Sequence, residues 1–240
     1  MELLKLTLDE SLANIALDEA LLEAAENGEV EQEILRLWQP LEPIVVVGRS
    51  SSVSSEVNLD YCQQNKIPVV RRCSGGATIV AAQGCLMYAA LLSYQQRPEL
   101  RMLEQAHQFV MSRLQKAVGS LGVKSELQGI CDLTLANRKV SGNALRCKKS
   151  WLIYHGTLLC EMDLDLISNC LGQPRREPTY RDGRSHAEFV GQLPISTATL
   201  STALVESWEA YQLVSGWPKE RTAELVDEKY STRQWNHKVV

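Results

Sequence analysis

Apolar residues recur at helical spacing through the first part of the chain. Leu12, Ile15, Ala16, Leu21, Leu22 and Ala25 form one stripe, opened by Ser11 and closed by Gly28. Side chains three and four apart share a helix face, so this pattern predicts a helix. Three short apolar runs follow, Ile34 to Trp38, Ile44 to Val47 and Ile67 to Val70, each bounded by Pro or Gly and read as strands. Thr78-Ile79-Val80 and Leu86 to Leu92 extend the series. Helical spacing returns between Glu99 and Val118 (Leu103, Ala106, Val110, Leu114, Ala117) and stops near Gly119. Asp132-Leu133-Thr134-Leu135 and Lys139-Val140 flank Ala136-Asn137, which predicts a tight hairpin, and Trp151 to Leu159 predicts another strand. Leu164 to Leu171, Ala198 to Leu213 and Lys219 to Lys229 are expected as helices, with an irregular basic loop from Pro174 to Gly183. This order predicts an α+β protein with a mixed, largely antiparallel sheet flanked by helices.

Composition narrows the classes. A chain of 240 residues, 45% hydrophobic and 22% charged, suits one soluble domain over residues 1–240. No apolar stretch approaches the roughly 20 residues that span a bilayer. The opening MELLKLTLDESLANIALDE is acidic where a signal peptide is basic, so a cytoplasmic protein is expected. The seven cysteines (Cys62, Cys73, Cys85, Cys131, Cys147, Cys160, Cys170) contain no CxxC pair and no Cys/His cluster at zinc spacing. Neither a disulfide framework nor a structural metal is expected. A net charge of −4 argues against general nucleic-acid binding. Arg138, Lys139, Arg146, Lys148 and Lys149 nevertheless cluster, as a solvated hairpin edge or as a surface for an acidic partner.

Three segments carry the candidate chemistry: Arg71-Arg72-Cys73-Ser74-Gly75-Gly76-Ala77-Thr78, Lys139-Val140-Ser141-Gly142-Asn143-Ala144, and His155-Gly156-Thr157-Leu158-Leu159. Adjacent glycines let backbone N–H groups approach a ligand closely. Arginine and lysine beside such a loop suit a phosphate, a carboxylate or a developing oxyanion. Gly48-Arg49-Ser50-Ser51-Ser52 is a polar loop suited to lining the same cleft.

Together with Asn14-Ile15-Ala16-Leu17-Asp18-Glu19-Ala20, Glu56-Val57-Asn58 and the closing Lys229-Tyr230-Ser231-Thr232 and Trp235-Asn236, these motifs resemble the biotin/lipoate A/B protein ligase family over nearly the whole chain. The resemblance implies a fold like the catalytic core of class II aminoacyl-tRNA synthetases and biotin–protein ligases, and an octanoyl or lipoyl group held in an apolar tunnel. It implies an acceptor lysine on a lipoyl domain or a glycine-cleavage H protein. One family branch activates lipoate with ATP and Mg; the other takes octanoate from an acyl carrier protein through a cysteine thioester and needs no cofactor. Nucleic acid and membrane are not expected partners.

Departures from the ligase pattern favour the thioester branch. The nucleotide loop of the ligases carries a third glycine, His-Asp and Gly-Asn where this chain has Ala77, Ala81-Ala82 and Gly84-Cys85. No accessory domain of the ligase kind is expected after the Trp235-Asn236 region. Cys131 replaces an asparagine just before Asp132, so it is the expected nucleophile, with Lys139 lowering its pKa and binding the acyl carbonyl. The hairpin places Lys139 opposite Thr134, about 10 Å from Cys131 along the strand. Arg72, Ser74, Gly75, Gly76, Ala77, Gly142, Asn143, Ala144, His155 and Gly156 are expected to shape the substrate pocket, with His155 a candidate general base. Cys85 is the second thiol considered, expected as lining. His107, on a helix, and His237 are expected to be uninvolved, and His186 to contact a partner. An ATP-dependent lipoate–protein ligase and a non-catalytic lipoate binder remain the alternatives.

Overall fold

A computed structural model describes residues 1–173 and 177–238. The elements of the first half are β1 (Glu2–Lys5), α1 (Ser11–Glu26), β2 (Ile34–Trp38), β3 (Ile44–Val47), α2 (Val53–Glu56), α3 (Leu59–Gln64), β4 (Val69–Arg71), β5 (Ile79–Ala81), β6 (Cys85–Ser93) and α4 (Leu103–Ser120). Those of the second half are β7 (Glu126–Gln128), β8 (Asp132–Leu135), β9 (Arg138–Lys139), β10 (Ser141–Cys147), β11 (Trp151–Leu159), α5 (Asp165–Cys170), α6 (His186–Phe189), α7 (Thr197–Trp208), β12 (Gln212–Leu213), α8 (Lys219–Leu225) and α9 (Arg233–Asn236).

The main sheet has the order β10-β11-β6-β2-β1-β12. Its first four strands are antiparallel, while β2, β1 and β12 run parallel. The central strands β6 and β11 are buried on both faces, which is why they read as nearly unbroken apolar runs rather than alternating ones. On one face Leu152, Tyr154 and Leu158 of β11 meet Val110 and Leu114 of α4 and Leu200 and Leu204 of α7. On the other, Ile153 of β11 meets Leu17, Leu21 and Leu22 of α1. A small sheet, β4-β3-β5, packs through Val45, Val46 and Val80 beside α1.

The predicted hairpin is present. Ala136 (φ 48°) and Asn137 (φ 58°) both take the left-handed conformation that a two-residue turn of this kind requires, and Lys139 pairs with Thr134. Elsewhere the pattern and the fold part. The helix expected over Ala198 to Leu213 ends at Trp208, because Glu209 turns left-handed (φ 54°), and Gln212–Leu213 pairs with β1 instead. The expected helix over Lys219 to Lys229 is α-helical to Leu225 and continues as a π-helical turn, Val226–Tyr230. Of the basic stretch from Pro174 to Gly183, residues 174–176 lie outside the described residues, and Thr179–Arg181 form a 3-10 turn. The basic cluster at 138–149 is a half-buried edge strand, β10, as well as a hairpin. No helix among the described residues is long and apolar enough to cross a membrane.

Candidate active site

The loop from Arg72 to Thr78 is built by its own arginine. Arg72 Nε donates to Ser74 Oγ (3.0 Å), Nη1 to the Val46 carbonyl (3.2 Å) and Nη2 to the carbonyls of Ala77 (3.0 Å) and Gly75. A glycine bend turns carbonyls inward, and a buried guanidinium with five donors satisfies them at once. Arg72 therefore shapes the pocket by holding the bend, with most of its donors committed to the loop. Burial pulls its pKa down to about 10, which leaves it charged at neutral pH. Gly76 takes a φ of +89°, and the bend lies so close to Gly48 that a Cβ there would stand 1.9 Å from the Gly76 carbonyl oxygen. Two glycines are needed, one for conformation and one for clearance.

Behind the bend runs a buried chain of polar groups. Ser74 Oγ lies 2.6 Å from His155 Nε2, and His155 Nδ1 lies 2.7 Å from Asp18 Oδ2. Asp18 Oδ1 accepts from Arg36 Nη1 (2.7 Å), and Arg36 Nη2 donates to Asn14 Oδ1 (2.8 Å). Because Arg72 already donates to Ser74 Oγ, the serine proton is free to point at His155 Nε2. Ionised Asp18 can only accept, so His155 Nδ1 carries a hydrogen and donates to it. Burial works against the Asp18 charge, but Arg36 and His155 outweigh it and hold the carboxyl below its ordinary range.

Lys139 projects from β9. Its Nζ is 2.6 Å from Asp132 Oδ1, and Tyr180 Oη donates to Asp132 Oδ2 at 2.8 Å. Two adjoining cavities share Ala77, Ile79, Lys139 and Gly142. The first encloses about 580 Å³ of empty space, open solvent included, between Ile15, Trp38, Val46 and Met87 and the polar groups of Asp18, Arg72, Asn143 and His155. The second, of about 720 Å³ on the same measure, lies between Thr78, Ser141 and Thr157 and the apolar Ile167, Leu171, Phe189 and Val190.

Arg72, Ala77, Lys139, Gly142, Asn143, Ala144, His155 and Gly156 thus share one cavity. Ser74 sits fully buried behind His155, and Gly75 and Gly76 form the bend whose far side approaches Ala144. Cys131 opens elsewhere, onto a groove lined by Leu103, His107 and Met111 of α4 and by Leu127 and Ile130. Its Sγ is 3.9 Å from the Asn143 carbonyl, and Asn143 Nδ2 donates to the Cys131 carbonyl at 2.6 Å. Burial and Asp132 push the thiol pKa up, against the pull of Lys139. The expected activation of Cys131 by Lys139 is blunted because the adjacent Asp132 takes up the ammonium. Cys85 is core: fully buried, 3.1 Å from the Met162 sulfur, its pKa pushed up to about 12 by burial. His186 Nε2 lies 3.1 Å from the Gly172 carbonyl, and the residue lines the second cavity. Asp18 and Asp132 were named in the sequence only as members of motifs and given no role, and Arg36 and Tyr180 were not named; their parts in the site come from contacts with residues distant in sequence.

Gly156 is required by clearance. A Cβ there would meet Asn143 Oδ1 at 2.3 Å and the Gly142 carbonyl oxygen at 2.5 Å. Gly156→Ala is expected to displace Asn143 and cost about 1–3 kcal/mol. Urea unfolding will read this as a lower midpoint at constant slope.

The family model for the lipoyl protein ligase A/B catalytic domain matches residues 10–206. The chain belongs to this family. Among its relatives in the family, a probable lipoate-protein ligase A of Mycoplasma pneumoniae is 31% identical over 158 residues, 66% of this chain and 45% of that protein. The chain thus spans about half the length of that relative. The octanoyltransferase LipM of Carboxydothermus hydrogenoformans is 26% identical over 251 residues, covering 92% of this chain and 93% of that one. In fold, the chain superposes with a TM-score of 0.82 and 23% identity on the bi-partite lipoate protein ligase of Thermoplasma acidophilum, over 100% of this chain and 96% of that one. The mixed sheet with flanking helices is therefore the fold of this family.

Proposed function

We propose that this protein attaches an octanoyl or lipoyl group to a lysine ε-amine of a lipoyl-domain or glycine-cleavage H protein, passing the acyl group through a thioester on Cys131. The observation that carries the lipoylation reading is that Lys139 and Ala77, at the end of the glycine bend, line both of two adjoining, largely apolar cavities, which also share Ile79 and Gly142. An eight-carbon acyl chain gains roughly 5 kcal/mol there, at about 0.8 kcal/mol per buried CH₂. Its carbonyl would then lie near the Lys139 ammonium, which opposes the negative charge that develops on that oxygen when an amine attacks. The structure of the Thermoplasma ligase was described together with its E2 lipoyl domain, which supports a lipoyl-domain acceptor here. The similarity to an octanoyltransferase supports the thioester route, as does the position of Cys131 against the carbonyl of Asn143, a residue of the acyl cavity. No cofactor is needed on this route, and an octanoyl acyl carrier protein is its natural donor.

A second reading, an ATP-dependent lipoate–protein ligase, is favoured by the resting protonation of Cys131 and by the second cavity, whose polar Thr78, Ser141 and Thr157 adjoin Lys139. A lipoate-protein ligase A of similar fold was solved bound with ATP. The bend and Lys139 suit an anion. Mg on this route would be carried mainly by the nucleotide's phosphates and water, with at most one or two carboxylates from the chain; Asp132, beside Lys139, is already engaged by Lys139 and Tyr180.

Incubation with octanoyl acyl carrier protein is expected to leave a hydroxylamine-labile acyl mass on the enzyme, absent in Cys131→Ala. No adduct, combined with lipoate-dependent ATP–pyrophosphate exchange, would establish the ligase. Neither activity, with lipoate affinity unchanged in Lys139→Ala, would leave a non-catalytic binder.

A further inference from the structure

Asn143, Gly156 and Tyr88 lie in one row across three neighbouring strands. Asn143 of β10 is opposite Gly156 of β11, and Gly156 is opposite Tyr88 of β6. Directly opposed residues share a face of the sheet, so the two outer side chains reach toward each other across the glycine. Tyr88 Oη lies 2.6 Å from Asn143 Oδ1. A Cβ on Gly156 would stand 2.9 Å from Tyr88 Cε1 as well as against the Asn143 amide, so this bond needs glycine in the middle. On its other side Asn143 Nδ2 donates to the Cys131 carbonyl (2.6 Å) and to Ser141 Oγ (2.9 Å), and Ser141 Oγ accepts the Leu133 N–H (2.9 Å). The Cys131 carbonyl can only accept, which turns Nδ2 toward it and leaves Oδ1 to accept the Tyr88 proton.

We propose that Tyr88 and Asn143 are positioning residues for acyl transfer, holding the Cys131 thiol at a set place beside the acyl cavity. The inference rests on the thioester reading above and adds to it how the nucleophile is placed. Cys131 ends the turn between β7 and β8, directly after Ile130, which is 81% exposed. Two anchors on β10 pin this segment: Asn143 at the Cys131 carbonyl and Ser141 at the Leu133 N–H. Tyr88, buried on the central strand β6, passes the rigidity of the sheet to the first anchor. Asn143 lines the acyl cavity, and its own carbonyl oxygen lies 3.9 Å from Cys131 Sγ, so a single residue separates the thiol from that cavity. Both hydrogens of Nδ2 are engaged within the protein. Asn143 therefore holds the nucleophile and does not donate to the acyl carbonyl.

In the step this placement serves, Cys131 Sγ forms a bond to the acyl carbonyl carbon, the bond from that carbon to the sulfur of the acyl carrier breaks, and the thiol proton passes to the departing sulfur. A misplacement of about 1 Å costs on the order of 10²-fold in such a reaction. The row of Tyr88, Gly156 and Asn143 grips the peptide of Cys131 and not its sulfur. It governs where the thiol sits rather than how readily it ionises, and it makes no contact that the acyl carrier would need for binding. Its loss should therefore appear in the limiting rate of acylation and not in affinity for the carrier.

The test is single-turnover transfer of octanoate from octanoyl acyl carrier protein to the enzyme, followed by intact mass over a range of carrier concentrations. Tyr88→Phe removes only the hydroxyl and keeps the ring in the core. It is expected to lower the limiting rate about tenfold, with the half-saturating carrier concentration unchanged. Asn143→Asp keeps the shape of the side chain but loses the amide that faces the Cys131 carbonyl, and is expected to lose at least as much. The double variant should lose no more than the larger single loss, because both residues act through one tether. A merely structural role would lower the melting temperature and leave the limiting rate of the folded enzyme as it was. A limiting rate within about twofold of wild type in either variant, or a loss confined to carrier affinity, would overturn the positioning. Should Asn143→Asp fail to fold, Tyr88→Phe alone decides. A wild-type enzyme that takes up no acyl mass, or an adduct that persists in Cys131→Ala, would instead remove the thioester reading and this inference with it, an outcome read without either positioning variant.

Discussion

Lys139→Ala is expected to lower kcat/KM for acyl transfer about 10²–10³-fold, the usual loss when one donor to a developing oxyanion is removed. The effect should fall mainly on kcat, since the apolar walls that bind the acyl chain remain. Stability should hardly move. The Lys139–Asp132 pair is partly open to water, with Lys139 27% exposed, and such pairs contribute about 1 kcal/mol or less. Lys139→Arg keeps the charge but offers a flat fork in place of a compact ammonium, so only partial recovery is expected. Steady-state rates with a fixed acceptor domain and a urea curve for each variant separate the two effects. A rate within threefold of wild type would remove Lys139 from the reaction.

The second large effect concerns stability. Asp18→Ala leaves Arg36, which has no solvent exposure, without its carboxylate, and deprives His155 Nδ1 of its acceptor. Breaking a buried pair by deleting one member costs about 3–5 kcal/mol, because the remaining charge stays buried and uncompensated. The urea midpoint should fall accordingly. Because folding depresses the Asp18 pKa, its contribution is complete above the ordinary carboxylate range and is lost as pH falls through the folded-state value. Wild type should therefore lose stability on acidification more steeply than Asp18→Asn. Parallel acid curves would show that Asp18 carries no such linkage.

Much of the site could be read in advance because its parts are local. The Ala136-Asn137 turn follows from two residues, and it alone sets Lys139 opposite Thr134. The glycine pair announces a close approach, and the approach is there, against Gly48 and Ala144. The remainder depends on partners distant in sequence. Strands β1 and β12 are too short to show alternation and exist because each finds a neighbour. Asp18 and Glu19 look like the solvated side of a helix, yet α1 is buried nearly all round, and each carboxylate meets a cation, Arg36 or Lys229. Arg72 looked like a ligand group; only the bend's inward carbonyls reveal that most of its donors are taken. Cys131, just before β8, opens onto the groove beside α4 and not onto the cavity that His155 lines, a separation that the sequence does not show.

The neighbour of Arg72 carries one further consequence. The Arg71 guanidinium donates to the carbonyls of Gly48 (2.7 Å) and Ser51 (2.8 Å), and its peptide N–H donates to Asn236 Oδ1 (2.9 Å). Trp235 Nε1 donates to the Arg71 carbonyl (2.7 Å), and Tyr230 reaches back to Glu19 of the first helix (2.7 Å). Residues 230–236 thus clamp the strand that leads into the glycine bend from behind, and Asn236→Ala is expected to loosen the Gly48–Ser51 loop through Arg71 without touching the cavity wall.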